Sequence, residues 1–62
     1  MNFGEKCLKF RARFSLTQED LAKMFDVTTQ MIGRYENGIT LPREANRIRF
    51  EEFMEKAEVN FK

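Results

Sequence analysis

Two short helical segments separated by a tight turn constrain this sequence more than any other feature. Residues 16–38 read LTQEDLAKMFDVTTQMIGRYENG. Thr17 and Thr28 stand where helix N-caps are expected, because a threonine side chain accepts a hydrogen bond from a backbone N–H of the first turn. Gly38 suits the left-handed backbone that ends a helix. The segment therefore predicts two short helices that cross closely.

A further helix is predicted before this segment, from about Asn2 to Arg13, with Asn2 as its N-cap. Its apolar residues recur at helical spacing and form one stripe: Phe3, Cys7, Phe10 and Phe14. No alternating apolar run bounded by turn residues indicates a strand. We therefore expect an all-α fold.

The last part of the chain allows two interpretations. A helix is expected to begin near Pro42, because proline suits a first helical turn. Ala45 and Ile48 lie on one face of this helix, and a second stripe lies on another: Phe50, Phe53, Met54, Ala57 and Phe61. Either the helix breaks near Arg49 or one longer helix serves two surfaces. The expected fold is a compact bundle of four or five helices.

Length and composition exclude several classes of protein. The 62 residues predict a single domain over residues 1–62, and a chain this short buries a marginal core. One cysteine and no histidine leave no disulfide framework and no metal cluster. We expect no enzyme, no cofactor and no small-molecule ligand. The absence of a long apolar run or signal peptide predicts a cytoplasmic protein without a membrane segment.

The charge of the chain is unevenly distributed although its net value is only +1. Residues 1–17 carry a net +3, residues 18–49 are balanced, and residues 50–62 carry a net −2. A basic front with an acidic tail is compatible with a surface that binds a polyanion on one side. Solvated helix faces would produce the same distribution, so charge permits DNA binding without establishing it.

Residues 16–38 meet the requirements of a helix-turn-helix. Ala22 is small enough for two helices to cross closely, and apolar anchors surround it at Leu21, Phe25, Val27, Ile32 and Tyr35. The sequence resembles the helix-turn-helix of the phage Cro/C1 repressor type, the XRE-like family. The resemblance is carried by Leu16-Thr17-Gln18, Leu21-Ala22, Val27, Ile32 and Glu36-Asn37-Gly38, and it covers about residues 3–42. It implies a lambda-repressor-like bundle that binds double-stranded DNA.

The resemblance also implies roles for individual residues. Base-reading positions on the second helix of the motif would be Thr29, Gln30, Met31, Gly33 and Arg34. Phosphate contacts would come from Gln18, Thr28 and Asn37, and we add Arg43 and Arg47 after the motif. Glutamine can pair with adenine and arginine with guanine through two hydrogen bonds each, so Gln30 and Arg34 suit the major groove.

Two further features follow from the family pattern. Arg11 and Glu36 stand where the family often forms an ion pair, and we expect a partly buried structural pair there. Asp26 replaces the glycine that is usual in the turn. Aspartate enters the left-handed region at modest cost, so the turn should survive.

These features predict a transcriptional regulator, most like a Cro/C1-type repressor. A domain this small reads few base pairs, so we expect a homodimer on a near-palindromic operator, with recognition helices about 34 Å apart. The first candidates for the dimer contact are Phe53, Met54 and Phe61. The alternative is a protein-interaction module, or an antitoxin or controller protein that answers to a partner protein. Steep salt dependence would favour DNA.

Overall fold

A computed structural model describes residues 2–60 of the chain and contains four α-helices in this range. They are α1 (Phe3–Phe14), α2 (Gln18–Phe25), α3 (Thr29–Glu36) and α4 (Glu44–Asn60). The prediction of an all-α fold is confirmed. None of the helices described is long and apolar enough to cross a membrane.

The starts of the first three helices follow the local signals in the sequence. Asn2 accepts the backbone N–H of Glu5 at 2.8 Å and caps α1. Thr17 accepts the N–H of Asp20 at 3.0 Å, and the Asp20 carboxylate accepts the N–H of Thr17 at 3.0 Å. This capping box satisfies two backbone donors that the helix cannot. It also holds the pKa of Asp20 below its ordinary value, because the carboxylate accepts the hydrogen bond from Thr17.

Left-handed residues end the same three helices. Ser15 follows α1 at φ 55°, Asp26 follows α2 at φ 60°, and Gly38 lies just beyond α3 at φ 73°. The turn at Asp26 therefore forms without glycine, as expected. Ser15 adopts the same conformation, also without glycine.

The last helix is continuous through Arg49, so the interpretation with a break is wrong. It also begins at Glu44, two residues later than the predicted start near Pro42. Phe50 and Met54 face the core, whereas Ala45 and Ile48 lie on the exposed side. One continuous helix carries both stripes: its first residues, 44–49, are largely exposed, and its contact with the core begins at Phe50.

The core lies between α1, the α2–α3 pair and the part of α4 from Phe50 onward. Aromatic rings fill much of it: Phe25 stacks on Phe50 with ring centroids 4.2 Å apart, and Phe3 meets Tyr35 edge-on at 5.4 Å. Leu21 and Ile32 are fully buried where α2 crosses α3. These contacts fix α3 against the rest of the molecule along one side and leave its other side exposed.

Candidate nucleic-acid interface

The exposed side of α3 carries the predicted base-reading residues. At 100° per residue, positions 29, 30, 33 and 34 share the face opposite the buried Ile32 and Tyr35. Thr29, Gln30 and Arg34 are exposed there, and no ion pair holds Arg34 within residues 2–60. Their donors and acceptors are therefore available to a ligand outside the chain.

Met31 is placed differently from the other predicted base readers. It is half-buried and packs against the hydrophobic core. Met31 therefore contributes to the core, unlike the exposed Thr29, Gln30 and Arg34. The reason is its helical phase: it lies nearer to Tyr35 than to Gln30 around the axis of α3.

Glu36 at the end of α3 is the centre of a network of hydrogen bonds. Arg11 donates from Nε to Oε2 at 2.6 Å and from a terminal nitrogen to Oε1 at 2.9 Å. Gln18 donates from its amide nitrogen to Oε1 at 2.9 Å. The Glu36 side chain is only 5% exposed, and the hydrogen bond from Arg11 raises the pKa of that guanidinium. The network joins α1, the start of α2 and the end of α3.

Gln18 lies over Gly33 in this arrangement. A β-carbon added to Gly33 would stand 3.7 Å from the Gln18 amide nitrogen, an ordinary van der Waals distance. A longer side chain at position 33 would reach the amide that bonds Glu36. An amide nitrogen carries two N–H groups, so Gln18 keeps one donor after bonding Glu36. The start of α2 can therefore brace α3 and still offer a donor to a phosphate.

The other predicted phosphate contacts fall into two groups. Thr28 and Asn37 cap the two ends of α3 and are exposed, as is Arg43 before α4. The Thr28 hydroxyl oxygen accepts the N–H of Met31 at 3.2 Å, and its own proton remains free to donate. These three residues keep donors available.

Arg47 is engaged within the protein, which revises its predicted role. It donates to Glu51 at 3.2 Å, and Lys6 donates to the other oxygen of the same carboxylate at 3.1 Å. The two cations outweigh burial and hold the pKa of Glu51 below its ordinary value. Glu51 therefore competes with a phosphate for Arg47, while the bond from Lys6 to Glu51 ties α4 to α1. The four-residue spacing of Arg47 and Glu51 is the signal that sequence reasoning missed.

The predicted dimer residues are also divided by the structure. Met54 is 6% exposed and belongs to the core, so it offers little surface to a second copy. Phe53 is 42% exposed and lines a groove with Phe14 and Met24. Phe61 lies outside the described residues.

Comparison with known families agrees with this geometry. A family model described as helix-turn-helix matches residues 8–57, most of the chain. The chain belongs to the Cro/C1-type helix-turn-helix family. In this family the domain is a DNA-binding regulatory module and is not typically enzymatic. No curated protein matches the chain at a significant level, and no solved structure does.

Membership of the helix-turn-helix family indicates which kind of ligand the exposed face of α3 can contact. The matched range contains α2, the turn and α3 in full, together with Glu36 and its partners. A DNA-binding regulator of this type presents its second motif helix to the major groove. Thr29, Gln30 and Arg34 are the residues of α3 whose side chains are exposed for such a contact.

Proposed function

We propose that this protein is a sequence-specific transcriptional repressor that binds double-stranded DNA as a homodimer. One observation carries the proposal. The polar face of α3 is exposed, while Glu36 at the end of the same helix is bonded to both Arg11 and Gln18. A reading helix needs free donors on one side and rigid support on the other, because misplacement by an ångström costs specific contacts.

In this proposal the side chains have two kinds of role, contact with bases and contact with phosphates. Gln30 and Arg34 read bases, with Thr29 and Gly33 on the same face beside them. Four residues around this face contact phosphates and set the register of α3 in the groove: Gln18, Thr28, Asn37 and Arg43. A dimer would read two half-sites of a near-palindromic operator, and occupation of a promoter in the cytoplasm would block transcription.

Selection of bound sites from random DNA tests this function. We expect an enriched motif that repeats with two-fold symmetry at a spacing of about one helical turn. Recovery of no enriched sequence would overturn the proposal of sequence-specific binding.

Substitution of Arg34→Ala tests the assignment of the reading face. It should relax the preference at one base pair of the selected motif, at a cost of about 1–3 kcal/mol. Arg49→Ala is the matched control, because it removes the same charge from an exposed position on α4, beside the Phe50 ring. Equal effects of the two substitutions would show that Arg34 acts through charge alone.

The alternative of a protein-binding module makes the opposite prediction about salt. The exposed Met24 and Phe53 favour it, because they border an apolar groove away from the reading face. Binding through several phosphates weakens linearly in log affinity against log salt, with a slope near the number of contacts. A largely apolar protein contact would show almost no such slope.

A further inference from the structure

An apolar groove of about 460 Å³ lies between the end of α1, the end of α2 and α4. Six residues form its apolar walls: Phe10, Phe14, Leu16, Met24, Phe53 and Ala57. Among the described residues, none of α3 lines this groove, so it lies apart from the proposed reading face. Its walls come from three segments that are distant in the sequence, which is why no local pattern indicated it.

Ring contacts hold the walls of the apolar groove in place. The Phe10 ring is only 3% exposed and packs against Phe14 with centroids 4.8 Å apart. The Phe53 ring meets Phe10 edge-on at 6.4 Å and Phe25 edge-on at 6.0 Å. Phe53 remains 42% exposed and Met24 remains 44% exposed, so solvent reaches both side chains. The groove is therefore formed by the fold itself and is open to a ligand, as sites for small molecules usually are.

The polar side chains of the apolar groove give it a positive charge. Only Arg13 and Ser15 are polar among the described residues that line it, and no carboxylate does. The Arg13 guanidinium lies 5.7 Å from the centroid of the Phe14 ring and forms no ion pair within residues 2–60. A guanidinium presents its N–H groups in a fork that matches a carboxylate. The edge of the groove at Arg13 therefore suits an anion.

A second arginine shows why the anion belongs at Arg13. A smaller groove of about 230 Å³ shares Met24 and Phe53 with the apolar groove and is lined by Arg49. The Arg49 guanidinium also lies over a ring, 5.6 Å from the centroid of Phe50. Asp26 lines this smaller groove as well, and its negative charge opposes an anion there. The two arginines have similar surroundings except for this carboxylate.

We propose that the apolar groove binds a small amphipathic anion, with an apolar chain or ring system of about ten carbon atoms and one carboxylate. The apolar part packs against Met24 and Phe53. The carboxylate accepts hydrogen bonds from the Arg13 guanidinium and from the Ser15 hydroxyl. This site goes beyond the proposed function and does not depend on it.

The size of the apolar groove favours a small ligand over a protein. A volume of 460 Å³ falls within the range of about 300–1,000 Å³ that is usual for small-molecule sites. A stable protein interface uses about 20–30 residues on each side, whereas eight described residues line this groove. A second copy of the chain or a protein partner would need a much larger surface than the groove supplies.

A titration of the full chain with decanoate, followed by ¹⁵N–¹H NMR, tests the proposal. Decanoate should shift the amide resonances of the residues that line the groove, above all Arg13, Met24 and Phe53. A ligand of this size and an open site predict a dissociation constant on the order of 1 mM. Decylammonium has the same chain and the opposite charge, so it should bind more weakly. Both probes are kept below the concentrations at which they form micelles.

Two pairs of variants separate the head group from the apolar part. Arg13→Gln should weaken decanoate binding about two- to fivefold, as expected for an exposed ion pair. Arg49→Gln is its matched control and should leave decanoate binding unchanged. Met24→Gln keeps the length of the side chain but not its apolar character, and it should weaken both probes about fivefold. Leu41→Gln, at a side chain that is 62% exposed outside the groove, should have no effect.

Several results would overturn the proposal. Absence of shifts at the groove amides would leave the groove to a protein partner, and shifts that extend equally to Ile39 and Leu41 would indicate unspecific adsorption. Equal effects of Arg13→Gln and Arg49→Gln would exclude a specific anion site. Groove shifts that depend on protein concentration without a probe would assign the groove to a second copy, and tighter decanoate binding by Phe61→Ser would assign it to the chain's own Phe61. The titration contains no DNA, so failure of the proposed function would leave its result unaffected.

Discussion

Arg11 on α1 and Glu36 at the end of α3 are joined by two hydrogen bonds, at 2.6 Å and 2.9 Å. The pair is well shielded from water, with side-chain exposures of 21% for Arg11 and 5% for Glu36. Gln18 adds a third bond to the same carboxylate. The orientation of the proposed reading helix therefore depends on a charge pair that lies behind it.

Removal of one member of this pair should be strongly destabilising. Arg11→Met leaves the Glu36 carboxylate buried without its cation, and we expect a loss of about 3–5 kcal/mol in the free energy of unfolding. Urea denaturation monitored by circular dichroism measures it. Arg11→Met combined with Glu36→Leu should recover much of the loss, because no charge remains buried. A small effect of the single change would show that the pair is solvated.

Alanine should have opposite effects at two helical glycines. Gly33→Ala should stabilise the fold by about 1 kcal/mol, because alanine favours a helix and the new β-carbon has room. Gly4→Ala should destabilise it by about 1–3 kcal/mol, because its β-carbon would clash with the carbonyl oxygen of Tyr35. Thermal unfolding of both variants gives the comparison, and equal signs would contradict this packing. If Gly33→Ala also weakens DNA binding while it stabilises the protein, position 33 approaches the groove.

The left-handed backbone at Ser15 predicts a stabilising substitution. Ser15→Gly should raise the free energy of unfolding by about 1 kcal/mol, because glycine has no β-carbon to strain at positive φ. Ala12→Gly is the control inside α1, three residues before Ser15, and should lower stability by about 1 kcal/mol. Chemical denaturation of the two variants measures both changes in the free energy of unfolding. No gain from glycine at position 15 would mean that serine is not strained there.

The buried thiol of Cys7 should be unreactive in the native protein. Burial, with the nearby Glu36 charge, raises its pKa from 9.0 to about 12. At pH 8 the native thiol should be alkylated at a rate set by unfolding, while the chain in urea reacts at once. Rapid alkylation of the native chain would show that the thiol is accessible.

The same pKa shift makes stability depend on alkaline pH. The pKa of Cys7 is higher in the folded state, so its contribution is complete below the unfolded pKa and is lost as pH rises from about 9 toward 12. Cys7→Ala should reduce this alkaline loss. Part of the loss should remain, because burial also raises the pKa of Tyr35. If Cys7→Ala loses as much stability at alkaline pH as the wild type does, the whole loss arises from other groups.

Local signals in the sequence were sufficient for the motif. Asn2, Thr17 and Thr28 were predicted as N-caps, and each accepts the expected backbone N–H. The left-handed turn at Asp26 and the stop at Gly38 were predicted as well. Each of these caps and turns involves residues only three or four positions apart, so the local sequence is enough to predict it. The continuity of the last helix was ambiguous, because two apolar stripes are compatible with either interpretation until the partner surfaces are known.

The sequence by itself therefore determined the helices, their caps and the polar face of α3, because all of these depend on short spacings. Only the tertiary structure decided which of the predicted site residues remain available at the surface. It buried Met54, packed Met31 on the core, and paired Arg47 with Glu51, which also accepts a hydrogen bond from Lys6. It also turned Ile39 and Leu41 outward. These outcomes depend on how helices far apart in sequence pack together, and no local pattern encodes that arrangement.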